Sequence, residues 1–198
     1  MVIPDVLLTA ILSIFLFLAL CGALALVMVS LRRPGEIPLF IASGLVVLCL
    51  LVVVVSPVNV PVLIGLIIAL IGVSLAVLGG NPVTRHILSV ATHGRVPEGD
   101  NGGIMLKAPA IEGQTLADSP AREVLRGGTT IGYLERLAVA IAIVAGYPEA
   151  IAIVVAVKGI GRFSELAAAE ARERFIIGTL ASLLWACIVG GLVRLAIW

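Results

Sequence analysis

Apolar residues come in six long runs, parted by short polar joints and one long polar segment. The first run covers about Val6 to Ser30. That is enough residues to cross a ~30 Å hydrocarbon core as a tilted helix. Pro4 suits its first turn, and Asp5 complements the positive end of its dipole. A signal peptide would carry its basic residues before the run; here Arg32 and Arg33 follow it. The pattern predicts a retained helix with its N-terminus outside. A second helix is expected from Pro38 to about Ser56, and an uncharged turn to Pro61. A third is expected from Pro61 to a stop at Gly79–Gly80.

Residues 81–128 break the pattern. Pro82–Thr92 fits a short amphipathic helix lying on the membrane surface, with Val83, Ile87, Leu88 and Ala91 on one side. Pro97 to Gly113 reads as a mobile loop or a weak hairpin around Ile104–Met105–Leu106. Ser119–Pro120 resembles a helix start, with Gly127–Gly128 as the end of that short helix. Two further apolar helices follow, about Thr130–Gly146 and Glu149–Phe163. At about 16 residues each they are short for a span. They form either a spanning hairpin or a shallow re-entrant one. Spanning is preferred, because the turn and the charged ends fall where a spanning hairpin needs them. The last helix is expected from Phe175 to Trp198, with Trp198 at the far interface.

The expected fold is therefore all-α and polytopic, with about six transmembrane helices. Residues 1–80 form a three-helix segment, 81–128 a loop with short amphipathic helices, and 129–198 a hairpin plus a final helix. Composition agrees. The chain is 61% hydrophobic and 13% charged, whereas soluble domains carry about 25% charged residues. Twelve of the thirteen basic residues fall on the side of the 81–128 loop if both termini lie outside; Arg194 is the exception. The positive-inside rule then makes that loop cytoplasmic. Only Lys107 and Lys158 are lysines; the abundance of arginine, alanine, glycine and valine is that of a bacterium with a GC-rich genome.

Small residues mark where helices can approach closely. Gly65, Ala69, Gly72 and Ala76 do so in the third helix. In the last, Gly178, Ser182, Ala186 and Gly190 recur every fourth residue, as at a tightly packed membrane interface.

The candidate chemistry lies in one charged cluster: Glu135, Arg136, Lys158, Arg162 and Glu165. Charges at membrane depth are costly, so they are expected to be paired. Glu135 and Arg136 are adjacent and do not face each other on a helix. Counting back from the turn between Tyr147 and Pro148 sets Glu135 level with Ile160, flanked by Lys158 and Arg162. The expected network joins Glu135 to Lys158 and Arg162. It either fixes the register of the hairpin, or serves as a proton, ion or headgroup site, or docks a partner.

Other chemistry is poorly supported. A net charge of +1 gives no footprint for nucleic acid. Cys21, Cys49 and Cys187 all fall in apolar runs and read as packing residues. His86 and His93 lack a third ligand at suitable spacing for zinc. The glycine pairs Gly102–Gly103 and Gly127–Gly128 lack the Lys–Ser/Thr of a phosphate loop. Ser89, Ser119 and Thr129 have no recognisable base. No catalytic residue, cofactor or metal is expected.

Three ordered motifs carry a resemblance: Ile131–Gly132–Tyr133–Leu134–Glu135–Arg136, Lys158 with Arg162–Phe163, and Glu173–Arg174–Phe175–Ile176–Ile177–Gly178–Thr179–Leu180. With them the chain resembles the C-terminal part of a widespread family of uncharacterised bacterial inner-membrane proteins, over about a quarter of its length. The arginine-rich remainder looks like an actinobacterial form. The resemblance singles out Glu135, Arg136, Lys158, Arg162, Phe163, Gly178 and Thr179, and implies no reaction. The role expected from the sequence is non-enzymatic: an accessory subunit or scaffold in the lipid bilayer of a bacterial plasma membrane, packed against a membrane-protein partner or its own copies. The alternative is a small ion- or proton-coupled transporter or channel using Glu135, Lys158 and Arg162. Scattered polar residues in the first three helices (Thr9, Ser13, Ser43, Ser74) give such a pathway little lining.

Overall fold

The computed structural model describes residues 2–32, 35–91, 104–107, 121–124, 127–162 and 169–198, with side chains for 5–32, 35–91, 127–161, 169 and 171–198. Among the described residues there are six helices: α1 (Val2–Arg32), α2 (Glu36–Val55), α3 (Val62–Ala91), α4 (Gly128–Ala145), α5 (Ala150–Arg162) and α6 (Ala169–Ile197). Five are long and apolar enough to cross a membrane. In lipid a helix satisfies its own backbone, which favours this all-α architecture. Large apolar side chains cover the outside; Val55, Leu63 and Ile160 are each 81% exposed. A water-soluble surface does not carry such a coat. The protein is an all-α polytopic membrane protein.

Helix α1 buries Leu12, Leu16, Leu20, Ala23 and Val27, one stripe at helical spacing. It packs against α2, whose own stripe is Leu39, Ala42, Val46, Cys49 and Val53. The interlock of α3 with α6 is closer. A Cβ added at Gly72 would overlap Val193; at Gly65 it would lie 3.0 Å from Ile197 and at Gly79 2.7 Å from Trp185. Gly65, Gly72 and Gly79, seven residues apart, thus each receive a side chain from α6. The Trp185 indole N–H then donates to the Leu75 carbonyl at 3.2 Å.

Contacts fix the direction of each helix. The Val60 N–H donates to the Ala196 carbonyl at 2.8 Å, so the α2–α3 turn lies beside the end of α6. His86 Nδ1 lies 3.5 Å from Glu36 Oε1, with its ring edge-on to Phe40, so α2 begins where α3 ends. Arg194 donates to the carbonyls of Ile143 and Val144, so α4 ends beside the end of α6. Lys158 of α5 meets Glu135 of α4 and lies over the ring of Phe175 in α6. Helix α5 therefore runs back toward the start of α6, and the six described helices alternate in direction. The start of α1 and the end of α6 lie at one end of the bundle; α3 ends and α4 begins at the other.

Arg194, the basic residue that stands apart from the other twelve, serves as a cap. Helix α4 ends with Gly146 at φ 81° and ψ 27°. The Tyr147 and Gly146 N–H groups return to the carbonyls of Ala142 and Ile143. This is a Schellman ending, which favours glycine. The Arg194 guanidinium covers the Val144 carbonyl left over and shares that of Ile143.

Two expectations need correction, and α5 is short for a span, as expected. Helix α3 does not stop at Gly79–Gly80; it runs through Asn81 and Pro82 to Ala91 and absorbs the expected surface helix. The two glycines give close-packing room to Trp185 and Arg136 and do not end the helix. Among the described residues no short helix precedes Gly127–Gly128: Ala121–Val124 is a strand, β2. It pairs antiparallel with Ile104–Lys107, β1, in the register Ile104–Val124 to Lys107–Ala121. A helix of so few residues would not repay its nucleation, whereas the extended segment makes ladder hydrogen bonds. The hairpin expected around Ile104–Leu106 thus takes a more distant partner. Finally, α5 has 13 residues, about 20 Å of helix, which is short of a ~30 Å core.

Candidate functional site

The site begins with geometry on α4. Neighbouring residues on a helix diverge by about 100°, so Glu135 and Arg136 leave α4 in different directions. Arg136 turns inward between α3 and α6 and is 2% exposed. Its Nε donates to the Val77 carbonyl at 2.8 Å. One terminal nitrogen donates to Ser182 Oγ at 2.7 Å and the other to Asn81 Oδ1 at 2.6 Å. Its guanidinium carbon stands 5.3 Å from the centre of the Tyr133 ring. Among the described residues these acceptors are all neutral. A planar fork of five donors allows one arginine to tie three helices together in this way. Gly80 and Gly132 leave the space it fills. A Cβ at Gly80 would overlap Arg136 Cδ, and one at Gly132 would lie 3.2 Å from a terminal nitrogen.

Glu135 turns the other way, toward α5. It is 7% exposed, and its Oε2 accepts from Lys158 Nζ at 2.6 Å. Lys158 is also largely enclosed, with its ammonium 5.5 Å from the Phe175 ring centre. The second carboxylate oxygen, Oε1, is buried without a hydrogen-bond partner among the described residues. A buried pair of this kind loses much hydration, so its remaining polar atoms matter. Beside it a groove of about 460 Å³ runs between α4 and α5, lined by apolar side chains except for Glu135 and Lys158.

The structure therefore brings Glu135 and Lys158 together and sends Arg136 to a separate network. Arg162 is the last residue of α5; its side chain, like Glu165, lies outside the described residues, as do His93 and Phe163. The four-residue stripe of α6 faces α3 and α4. Gly178 lies against Thr84 and Leu88, Ser182 holds Arg136, Ala186 is fully buried, and Gly190 lies against Ile143 and Ala140. Sequence reasoning missed Asn81, Val77 and Gly80 as the cradle of Arg136. Their signal was the Gly79–Gly80–Asn81–Pro82 run, which also reads as a helix end.

Other candidates find ordinary places. Cys21, Cys49 and Cys187 are free thiols. His86 pairs with Glu36, and Ser89 Oγ donates to the His86 carbonyl. Among the described residues no three His, Cys, Asp or Glu side chains are grouped to hold a metal ion.

No family model matches the chain, and neither a curated protein nor a solved structure matches it.

Proposed function

We propose that the protein is a non-enzymatic accessory subunit or scaffold of a membrane complex in a bacterial plasma membrane. In this reading both termini are outside and the 81–128 segment is cytoplasmic, which keeps twelve of the thirteen basic residues on the inner side. One observation supports the role above others: the distribution of buried polar groups. Among the described residues, Glu135, Arg136, Arg174, Thr179 and Ser182 all belong to the first half of α4 or α6. Of the remaining two, Ser13 is bonded within its own helix and Ser30 sits near the end of α1. Among the described residues the rest of the core is apolar, mostly leucine, valine, isoleucine and alanine. An interior of this kind offers a solute no polar line to follow, while the small-residue interfaces suit a rigid framework.

The experiment is extraction in mild detergent by a C-terminal tag, followed by mass spectrometry and native mass. A stoichiometric membrane-protein partner is the expected result. A lone monomer or homo-oligomer would contradict it and favour the second reading, a proton- or ion-coupled transporter. That reading has its own observation: an oxygen of Glu135 that has no partner among the described residues, beside an open groove.

A further inference from the structure

The α4–α5 groove has the size of a ligand site and an uncommon chemistry for one. Its apolar wall is formed by Ile131 and Leu134 from α4 and by Ile153 and Val157 from α5. Its polar part is an acid and a base, Glu135 and Lys158, that already neutralise each other. The pair is incomplete in both directions. Glu135 is buried and has one acceptor oxygen more than the described residues supply donors for. An ammonium carries three donors, and Lys158 commits one to Glu135.

A ligand that completes this pair must bring a hydrogen-bond donor, preferably cationic, for the carboxylate. It must also bring an acceptor, preferably anionic, for the ammonium. Its body must be apolar. In the proposed topology the depth suits a lipid: Glu135 stands seven residues from the start of α4, about 10 Å along the helix from its cytoplasmic end. The groove is also open along its side, as a site filled from the bilayer requires.

We propose that the groove between α4 and α5 binds one phospholipid whose headgroup carries a primary amine next to its phosphate. The ammonium donates to Glu135, the phosphate accepts from Lys158, and an acyl chain lies along the apolar wall. The site goes beyond the scaffold reading and does not depend on a protein partner. A choline headgroup has the same charges but no N–H to donate, so the site discriminates against it by hydrogen bonding alone.

The test uses the full-length protein, delipidated in mild detergent and titrated with dioleoylphosphatidylethanolamine or dioleoylphosphatidylcholine, with bound lipid counted by native mass spectrometry. Charge-assisted hydrogen bonds are the strong ones, so the ethanolamine lipid is expected to bind at one per chain and about tenfold more tightly. Gly161→Leu fills the groove from α5. An added Cβ there meets no atom within 4 Å, so the variant is expected to fold, with Ala138→Leu on the opposite wall as the second variant. Both should abolish the preference while the elution profile stays that of the parent. Equal binding of the two lipids, or a preference that survives both variants in folded protein, would overturn the site and leave only annular lipid.

Discussion

Arg136→Met is expected to cost about 3–5 kcal/mol of stability, enough to remove most folded protein from the membrane. The substitution keeps much of the apolar stem but deletes every donor. Val77, Asn81 and Ser182 are then left facing a dry interior without their partner. Denaturant titration of the purified protein in mixed micelles reads the loss. Gly80→Ala strikes the same contact from the other side, since its new methyl would overlap Arg136 Cδ. Overpacking of this sort costs about 1–3 kcal/mol. The two effects are expected to be non-additive, because a methionine at 136, no longer tied to three acceptors, is free to swing away from the new methyl. Residues in contact couple by about 0.5–3 kcal/mol. Additive losses would mean that Gly80 and Arg136 do not touch.

Glu135→Gln produces the second large effect, by a different route. It leaves the enclosed Lys158 ammonium without its carboxylate. Breaking a buried pair on one side costs about 3–5 kcal/mol, whereas replacing both partners with apolar residues is often close to neutral. The double variant Glu135→Leu with Lys158→Leu is therefore expected to regain most of the stability lost by either single change. It would no longer hold a headgroup. Stability recovered without lipid preference separates the structural share of the pair from its binding share. A double variant as unstable as the singles would show that the pair does more for the hairpin than neutralise itself.

Much of this was legible in the sequence, for identifiable reasons. Helix existence follows from the length of the apolar runs, which depends on nothing distant. The pairing of Glu135 with Lys158 follows from counting back along an antiparallel hairpin closed by a short turn, where register is nearly fixed. The stripe from Gly178 to Gly190 is a periodicity, and its small side chains face α3 and α4. What stayed hidden depends on partners remote in sequence. Gly79–Gly80 followed by Pro82 carries the local signature of a helix end. It takes knowledge of Trp185 and Arg136, 106 and 56 residues away, to see that the glycines make room for side chains and that the helix continues. Arg194 looked like an isolated charge on the wrong side, and its reason is the C-terminus of α4, 49 residues before it. The strand β2 was hidden because four residues carry no period, and its partner is set by ladder geometry alone.

The topology proposed for the chain crosses the membrane six times: five helices are long and apolar enough to do so, and the shorter α5 is proposed to complete a spanning α4–α5 hairpin. The most direct measurement is labelling of single cysteines by a membrane-impermeant thiol reagent, in a background where Cys21, Cys49 and Cys187 are replaced. Positions Pro57, in the α2–α3 turn, Tyr147, in the α4–α5 turn, and Ser89, near the end of α3, are all exposed. Pro57→Cys and Tyr147→Cys are expected to label in intact cells, and Ser89→Cys only after the membrane is opened. If Tyr147→Cys instead behaves like Ser89→Cys, the hairpin turns back within the bilayer and the six-crossing account is wrong.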